Sequence, residues 1–213
     1  MKIKKFPQSH LIITNSLGKK LIIDPGYPTF EKGFKPQEFQ NADAYLITHI
    51  HRDHVDSANI KEVVGDKPVY GNNDVCAALG HFFNQGINVN PVNNGDEFEV
   101  AGFKIKAFDL PHFPIGPNKP GPHNTGFLIN GVFFHAGDGI KLEGLTSPNA
   151  AIPIAHPAIT LEDSINFARS LKAKVVIPIH YDVYEANTEK LKEMARINGI
   201  EVRVLNFGEE TEI

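Results

Sequence analysis

Thr48-His49-Ile50-His51-Arg52-Asp53-His54 follows directly on the apolar run Ala44 to Ile47. In an extended segment, residues two apart point the same way, so His49 and His51 can converge on one cation. A turn after His51 would bring Asp53 and His54 round towards a second. Imidazoles joined by a carboxylate are the donors that zinc and other borderline divalent metals prefer. The bland alternative is a polar loop at a strand end, but a solvated loop has no reason to concentrate four potential ligands in six residues.

Working outward, two later segments share this character. Phe134-His135-Ala136-Gly137-Asp138 ends a strand-like run with a glycine that lets a carboxylate turn into a cleft, and Pro178-Ile179-His180-Tyr181 ends the apolar run Val175 to Ile179 with a histidine. Potential ligands at the ends of several strands, far apart in sequence, are typical of a site built on one rim of a sheet scaffold.

Short β-branched or apolar runs at Leu11–Thr14, Lys20–Asp24, Ala44–Thr48 and Pro68–Tyr70 read as strands, each bounded by Gly, Asn, Asp or Pro. Helices are expected near Ser57 and near Asn73. In the second half, Glu97–Val100 and Phe103–Asp109 read as a hairpin, and Asn130-Gly131 turns between Gly126–Ile129 and Val132–His135. Thr160–Leu171 opens on a capping box and continues with helical apolar spacing. Val175–Ile179 is a buried strand, Thr188–Ile197 a helix, and Val202–Asn206 a closing strand. Strands mixed with helices in both halves predict two packed sheets with helices outside. We expect a single domain over 1–213, built of two similar halves, about 1–100 and 101–213. Gly116–Asn124 is the irregular loop.

The 213 residues include 21 basic and 25 acidic side chains, for a net charge of −4, which disfavours nucleic acid as a partner. No apolar run approaches the ~20 residues of a membrane span. The basic start at Met1–Gln8 lacks an apolar region to make a signal peptide. A single cysteine, Cys76, forbids an internal disulfide and fits a reducing compartment, so a cytoplasmic location is expected. The sharper anomaly is ten histidines without a tag-like tract.

With these residues in place, the sequence resembles the metallo-β-lactamase superfamily: His-x-His-x-Asp-His at 49–54, a later lone histidine, Gly137-Asp138, the final His180, and Leu21-Ile22-Ile23-Asp24-Pro25-Gly26 as an early signature. The likeness runs from about residue 10 to 206. It implies an α+β fold, an αββα four-layer sandwich, with a dinuclear site at one edge. In those terms His49, His51 and a third histidine hold one metal, Asp53, His54 and His180 hold the other, and Asp138 bridges them. The third histidine is His112 or His123. We favour His112, because a residue at the end of the strand Phe103–Leu110 is held more rigidly than one in a Pro/Gly loop, and because the family places this ligand just after such a strand.

Within the superfamily the chain looks most like the small stand-alone hydrolases around ascorbate-6-phosphate lactonase, on the strength of Ile152-Pro153-Ile154 and Val175–Tyr181. It departs from them at Ala155-His156-Pro157-Ala158-Ile159, where they carry a short Gly/Met-rich stretch.

The expected activity is metal-dependent hydrolysis of a small ester, lactone or phosphate-bearing molecule by water or hydroxide bridging two divalent cations, zinc first and manganese or iron as alternatives. Asp53 would ligate one metal and, by the resemblance, orient the attacking water or accept its proton. Asp24 is a candidate to support the histidine loop from behind, against the plainer reading of a turn-forming Asp-Pro-Gly. His123, His156 and Tyr181 are candidates to touch substrate, although isolated residues of these types more often serve packing. Lys119 could meet an anion, and Phe82, Phe83 and Phe113 could wall an apolar pocket. His135 is expected to pack behind the site, with His10 and His81 structural or on the surface. The competing readings are a phosphodiesterase or nuclease of the same fold, and a metal-binding module without turnover. The di-iron redox branch of this fold is disfavoured, because it carries an acidic residue where His51 stands and an attached flavin domain.

Overall fold

In the computed structural model, residues 1–82, 86–116 and 118–213 are described, of 81 and 82 the backbone alone. Phe83 and the side chains of His81 and Phe82 therefore lie outside the described residues.

The elements follow the chain in the order β1 (Lys2–Lys5), β2 (Leu11–Thr14), β3 (Lys20–Ile23), α1 (Tyr27–Glu31), β4 (Ala44–Ile47), α2 (Ile60–Val64), β5 (Val69–Gly71), α3 (Asn73–Ala77), β6 (Val89–Pro91), β7 (Glu97–Val100), β8 (Phe103–Asp109), β9 (Thr125–Ile129), β10 (Phe133–His135), β11 (Asn149–Pro153), α4 (Leu161–Ser170), β12 (Val175–Ile179), α5 (Thr188–Ile197), β13 (Glu201–Val202) and β14 (Glu210–Glu212). They form two seven-stranded sheets, ordered β14-β1-β2-β3-β4-β5-β6 and β13-β12-β11-β10-β9-β8-β7. Each begins as an antiparallel meander and continues in parallel strands, from β3 to β6 in one and from β10 to β13 in the other.

Side-chain alternation sorts these strands into layers. On β3, Leu21 and Ile23 face the second sheet and pack with Phe103, Ile105, Phe127 and Ile177. The intervening Ile22 faces outward, onto Ile60, Val63 and Val75 of the helices covering the first sheet. The outer face of the second sheet likewise buries Ile152 and Val176 against Ile165, Ala168, Leu191 and Ala195 of α4 and α5. The result is the αββα sandwich. No helix among the described residues is long and apolar enough to cross a membrane.

One expectation needs correction. The closing strand Val202–Asn206 stops at Val202, because β12 offers partners only at Val175 and Val176. The chain then leaves that sheet and, as β14, pairs with the free edge of β1. β7 belongs to the second sheet, and the last strand returns to the first. β1 itself went unread because Lys-Ile-Lys-Lys looks like a solvated basic start, yet Ile3 and Lys5 are both fully buried.

The buried His10 contributes a pH dependence. Its Nδ1 meets Thr29 Oγ1 at 2.9 Å, and its ring stacks on Phe6 and abuts Phe39. Burial, with the Lys5 charge second, lowers its pKa to about 3. The unfolded chain therefore binds the extra proton first as pH falls, so stability drops below the unfolded value near 6.5 until about pH 3. Urea unfolding should show this group costing up to about 1.4 kcal/mol per pH unit in that window, a slope that His10→Leu flattens. An unchanged slope in the variant would refute the assignment.

Candidate metal centre

The parallel strands deliver their C-terminal ends to one edge of the sandwich. β3 runs into Asp24, β4 into Thr48 and His49, β10 into Gly137 and Asp138, and β12 into His180. The chain must turn sharply after each strand to point a side chain inward. Asp24 and His180 accordingly adopt positive φ (51° and 57°), a left-handed geometry that is uncommon outside glycine and concentrates at functional sites. Gly137 also has positive φ (56°), and a Cβ there would collide with Asn124 and Thr48, so no other residue fits.

Two groups of donors result. His49, His51, His112 and Asp138 form one, and Asp53, His54 and His180 the other. Within each, the potential ligand atoms lie within 4.8 Å of one another. Asp138 is buried between them, its carboxylate 3.1 Å from His54 Nε2, 3.3 Å from His112 Nε2, 3.4 Å from His180 Nε2 and 3.8 Å from His49 Nε2.

The histidine rings are oriented from behind. Thr48 Oγ1 donates to Asp24 Oδ2 (2.7 Å) and can therefore accept from His49 Nδ1 at 3.1 Å. His54 Nδ1 donates to Asp24 Oδ2 (2.7 Å), His180 Nδ1 to the Ala155 carbonyl (2.9 Å), and His112 Nδ1 to the Phe113 carbonyl. With the proton on Nδ1, each ring turns a bare Nε2 towards the centre, the tautomer a metal ligand needs. Asp24, fully buried, also accepts the Thr48 backbone N–H at 2.8 Å and so ties the histidine loop to β3.

Divalent metals fit these residues. His49 Nε2 and Asp138 Oδ1 are buried with no hydrogen-bond partner among the described residues, an arrangement that ordinarily costs stability and that a cation would satisfy. The electrostatics agree. Burial opposes a charged His54, yet Asp138, Asp24 and Asp53 together hold its pKa well above the ordinary value. His180 is likewise raised to about 9, burial being outweighed by Asp138 and Asp53. His49 is pushed the other way, by burial first and by His54 second. The carboxylates thus call for positive charge at His54 and His180, the charge that a cation would bring.

A cavity of about 280 Å³ opens onto the centre, walled by Phe113, Ile115, His156 and Tyr184 beside the candidate ligands, with no lysine or arginine among its described lining residues. Of the residues expected to touch substrate, only His156 lies here. His123 is exposed, pairs with Asp109 at 2.8 Å and lines a separate depression beside Pro120 and Pro122; it joins neither donor group. Tyr181 is half-buried under Lys5, whose Nζ lies 4.8 Å from the ring centre, and its hydroxyl donates to the Leu205 carbonyl. The left-handed turn at His180 sends the next side chain away from the cavity, and Tyr184, three residues on, takes that place. Lys119 is exposed and is not among the residues lining this cavity. His135 donates from Nε2 to the Ser9 carbonyl (2.9 Å), behind the site.

The sequence model of the family described as "Beta-lactamase superfamily domain" matches residues 2–180. A protein named as a metal-dependent hydrolase from Methanocaldococcus jannaschii is 26% identical over 206 residues, covering 91% of this chain and 94% of that one. Another so named, from Staphylococcus carnosus, is 29% identical, with 91% of each chain covered. Among solved structures, a metallo hydrolase from the archaeon Ignicoccus hospitalis superposes with a TM-score of 0.74 at 23% identity, over 100% of this chain and 98% of that one.

Proposed function

Because the chain belongs to the beta-lactamase superfamily, we propose that its donor cluster holds two divalent metal ions, zinc foremost, and serves the hydrolysis of a small uncharged ester or lactone. The chain is a metal-dependent hydrolase, the name that these relatives carry. The observation that carries the two-metal reading is Asp138, one buried carboxylate within 3.4 Å of histidines from both donor groups.

His49, His51 and His112 would hold one ion, Asp53, His54 and His180 the other, with Asp138 shared. Bound there, the metals supply acidification of a water molecule and polarisation of the substrate carbonyl. The protein's own groups do the rest. Asp53 stays ionised, because His54 and His180 override the burial that opposes its charge, and so can orient a water by accepting its hydrogen. His156 Nδ1 accepts the Ala158 backbone N–H at 3.1 Å, which leaves Nε2–H as the ring's donor, on a side chain lining the cavity. Burial, with the neighbouring His180 second, lowers the His156 pKa and keeps the ring neutral. A neutral N–H so placed suits a carbonyl oxygen that gains charge during attack. Phe113, whose ring centre lies 4.3 Å from that of His156, and Tyr184 at 5.3 Å hold the imidazole and limit water around it.

The absence of Lys and Arg from the described lining favours a neutral substrate over a phosphodiester, whose remaining charge would have no protein cation to meet it. The single half-buried thiol of Cys76 suits a reducing, cytoplasmic setting. The test is turnover by zinc-loaded protein of a short-chain lactone, an aryl carboxylic ester and a bis-aryl phosphodiester. Lactone or ester kcat/KM should exceed that of the phosphodiester by about tenfold or more, a gap of about 1.4 kcal/mol in transition-state stabilisation. Preference for the phosphodiester would replace this reading with that of a phosphodiesterase. Metal uptake without turnover of any of the three would overturn the ester or lactone reading.

A further inference from the structure

We propose that Gln8 is a positioning residue for one of the two metal positions: it fixes the Asp53 carboxylate and the His180 turn, and so sets the affinity of the Asp53–His54–His180 group. The inference rests on the two-metal reading above.

Gln8 sits in the turn between β1 and β2, fully buried, at φ 55°, a conformation that costs a non-glycine residue free energy unless its surroundings hold it there. Every polar group it has is engaged. Its carbonyl accepts from the His180 backbone N–H at 3.3 Å and from Lys5 Nζ at 3.4 Å. Its N–H donates to Asp182 Oδ2. Its side-chain Oε1 accepts the Asp182 backbone N–H at 3.0 Å, and Nε2 lies 3.4 Å from Asp53 Oδ2.

The side-chain contact with the Asp182 backbone decides the role. A backbone N–H can only donate, so the side-chain atom facing Asp182 must be the oxygen, and the NH2 must face Asp53. The amide cannot flip without losing both bonds. Behind it, the buried Lys5 ammonium pairs with Asp182 at 3.4 Å and donates to the Phe6 carbonyl at 2.8 Å, balancing the carboxylate that holds the Gln8 N–H. The neighbouring Ser9 extends the same contact, its Oγ 3.5 Å from His54 Nε2. The turn from the first sheet therefore reaches Asp53, His54 and His180. No hydrogen bond of Gln8 or Ser9 among the described residues goes to His49, His51 or His112.

That asymmetry separates a positioning role from a general tether between the sheets. The experiment titrates zinc into the metal-free full chain against a chromophoric chelator, for wild type, Gln8→Met and Gln8→Asn, with His180→Ala marking which binding step belongs to the Asp53–His54–His180 group. Gln8→Met keeps the length but cannot donate. Gln8→Asn tolerates positive φ and keeps the turn should the methionine variant fail to fold, but is too short to span to Asp53. Both variants should lose about 10–100-fold in affinity at the step that His180→Ala removes, and keep the other step within about twofold. Two steps in the wild type with both unchanged in the variants, or weakened equally, would overturn the role of Gln8 alone. Fewer than two steps in the wild type would overturn the two-metal reading, and this inference with it.

Discussion

Asp138→Ala should leave the protein with fewer than one bound metal, against the two proposed for the wild type, and should lower turnover of whichever substrate the panel identifies by on the order of a thousandfold or more. The reason is geometric. The carboxylate lies within 3.8 Å of the Nε2 atoms of His49, His54, His112 and His180, so its removal takes a donor from both positions at once. Asp138→Asn keeps the shape and separates the loss of charge from the loss of volume. Elemental analysis of tag-free protein after zinc incubation checks the first half of the expectation, and kcat/KM the second. Two metals retained by the alanine variant would refute the shared-ligand reading.

Asp24→Ala should cost about 3–5 kcal/mol of stability, measured by urea unfolding with a chelator present so that metal linkage does not enter. The Thr48 backbone N–H, the Thr48 hydroxyl and His54 Nδ1 lose this acceptor together, and Thr48 Oγ1, 3.2 Å from His54 Nδ1, is the neutral partner left to that ring. Each donor left without a partner costs about 1–3 kcal/mol. The site should suffer separately. With its charged Nδ1 partner gone, the His54 ring is held less firmly towards the centre, and zinc affinity should fall about 10–100-fold. A loss of stability below about 1 kcal/mol would show that Asp24 is only a turn former.

The local features of the sequence were legible because local rules govern them. The spacing of His49, His51, Asp53 and His54 after an apolar strand required only strand alternation and one turn to be read as a metal site. The α4 boundary followed from Thr160 and Asp163, which form the capping box seen in the structure. Strands with a regular apolar pattern, such as β8 and β12, fell where alternation and apolar runs placed them.

What escaped depends on partners remote in sequence. β1 carries three lysines in four residues, and the buried charge of Lys5 is balanced by the Asp182 carboxylate, 177 positions away. Gln8 has no motif about it; its importance lies in contacts with Asp53 and Asp182 that no spacing rule connects. Tyr181 stands beside a candidate ligand yet points away from the cavity, because a single left-handed residue, His180, reverses the direction in which neighbouring side chains project. The choice between His112 and His123 was likewise open in one dimension, and packing places one in the donor group and the other on the surface.

The sequence by itself determined the chemistry available to this protein: a set of imidazoles and carboxylates on strand ends, and the mixed pattern that folds into two covered sheets. The tertiary structure alone decided which of those groups meet. Parallel strands from both sheets end at one edge, and a metal site needs donors brought within a few ångströms from segments that only the packed sandwich brings together.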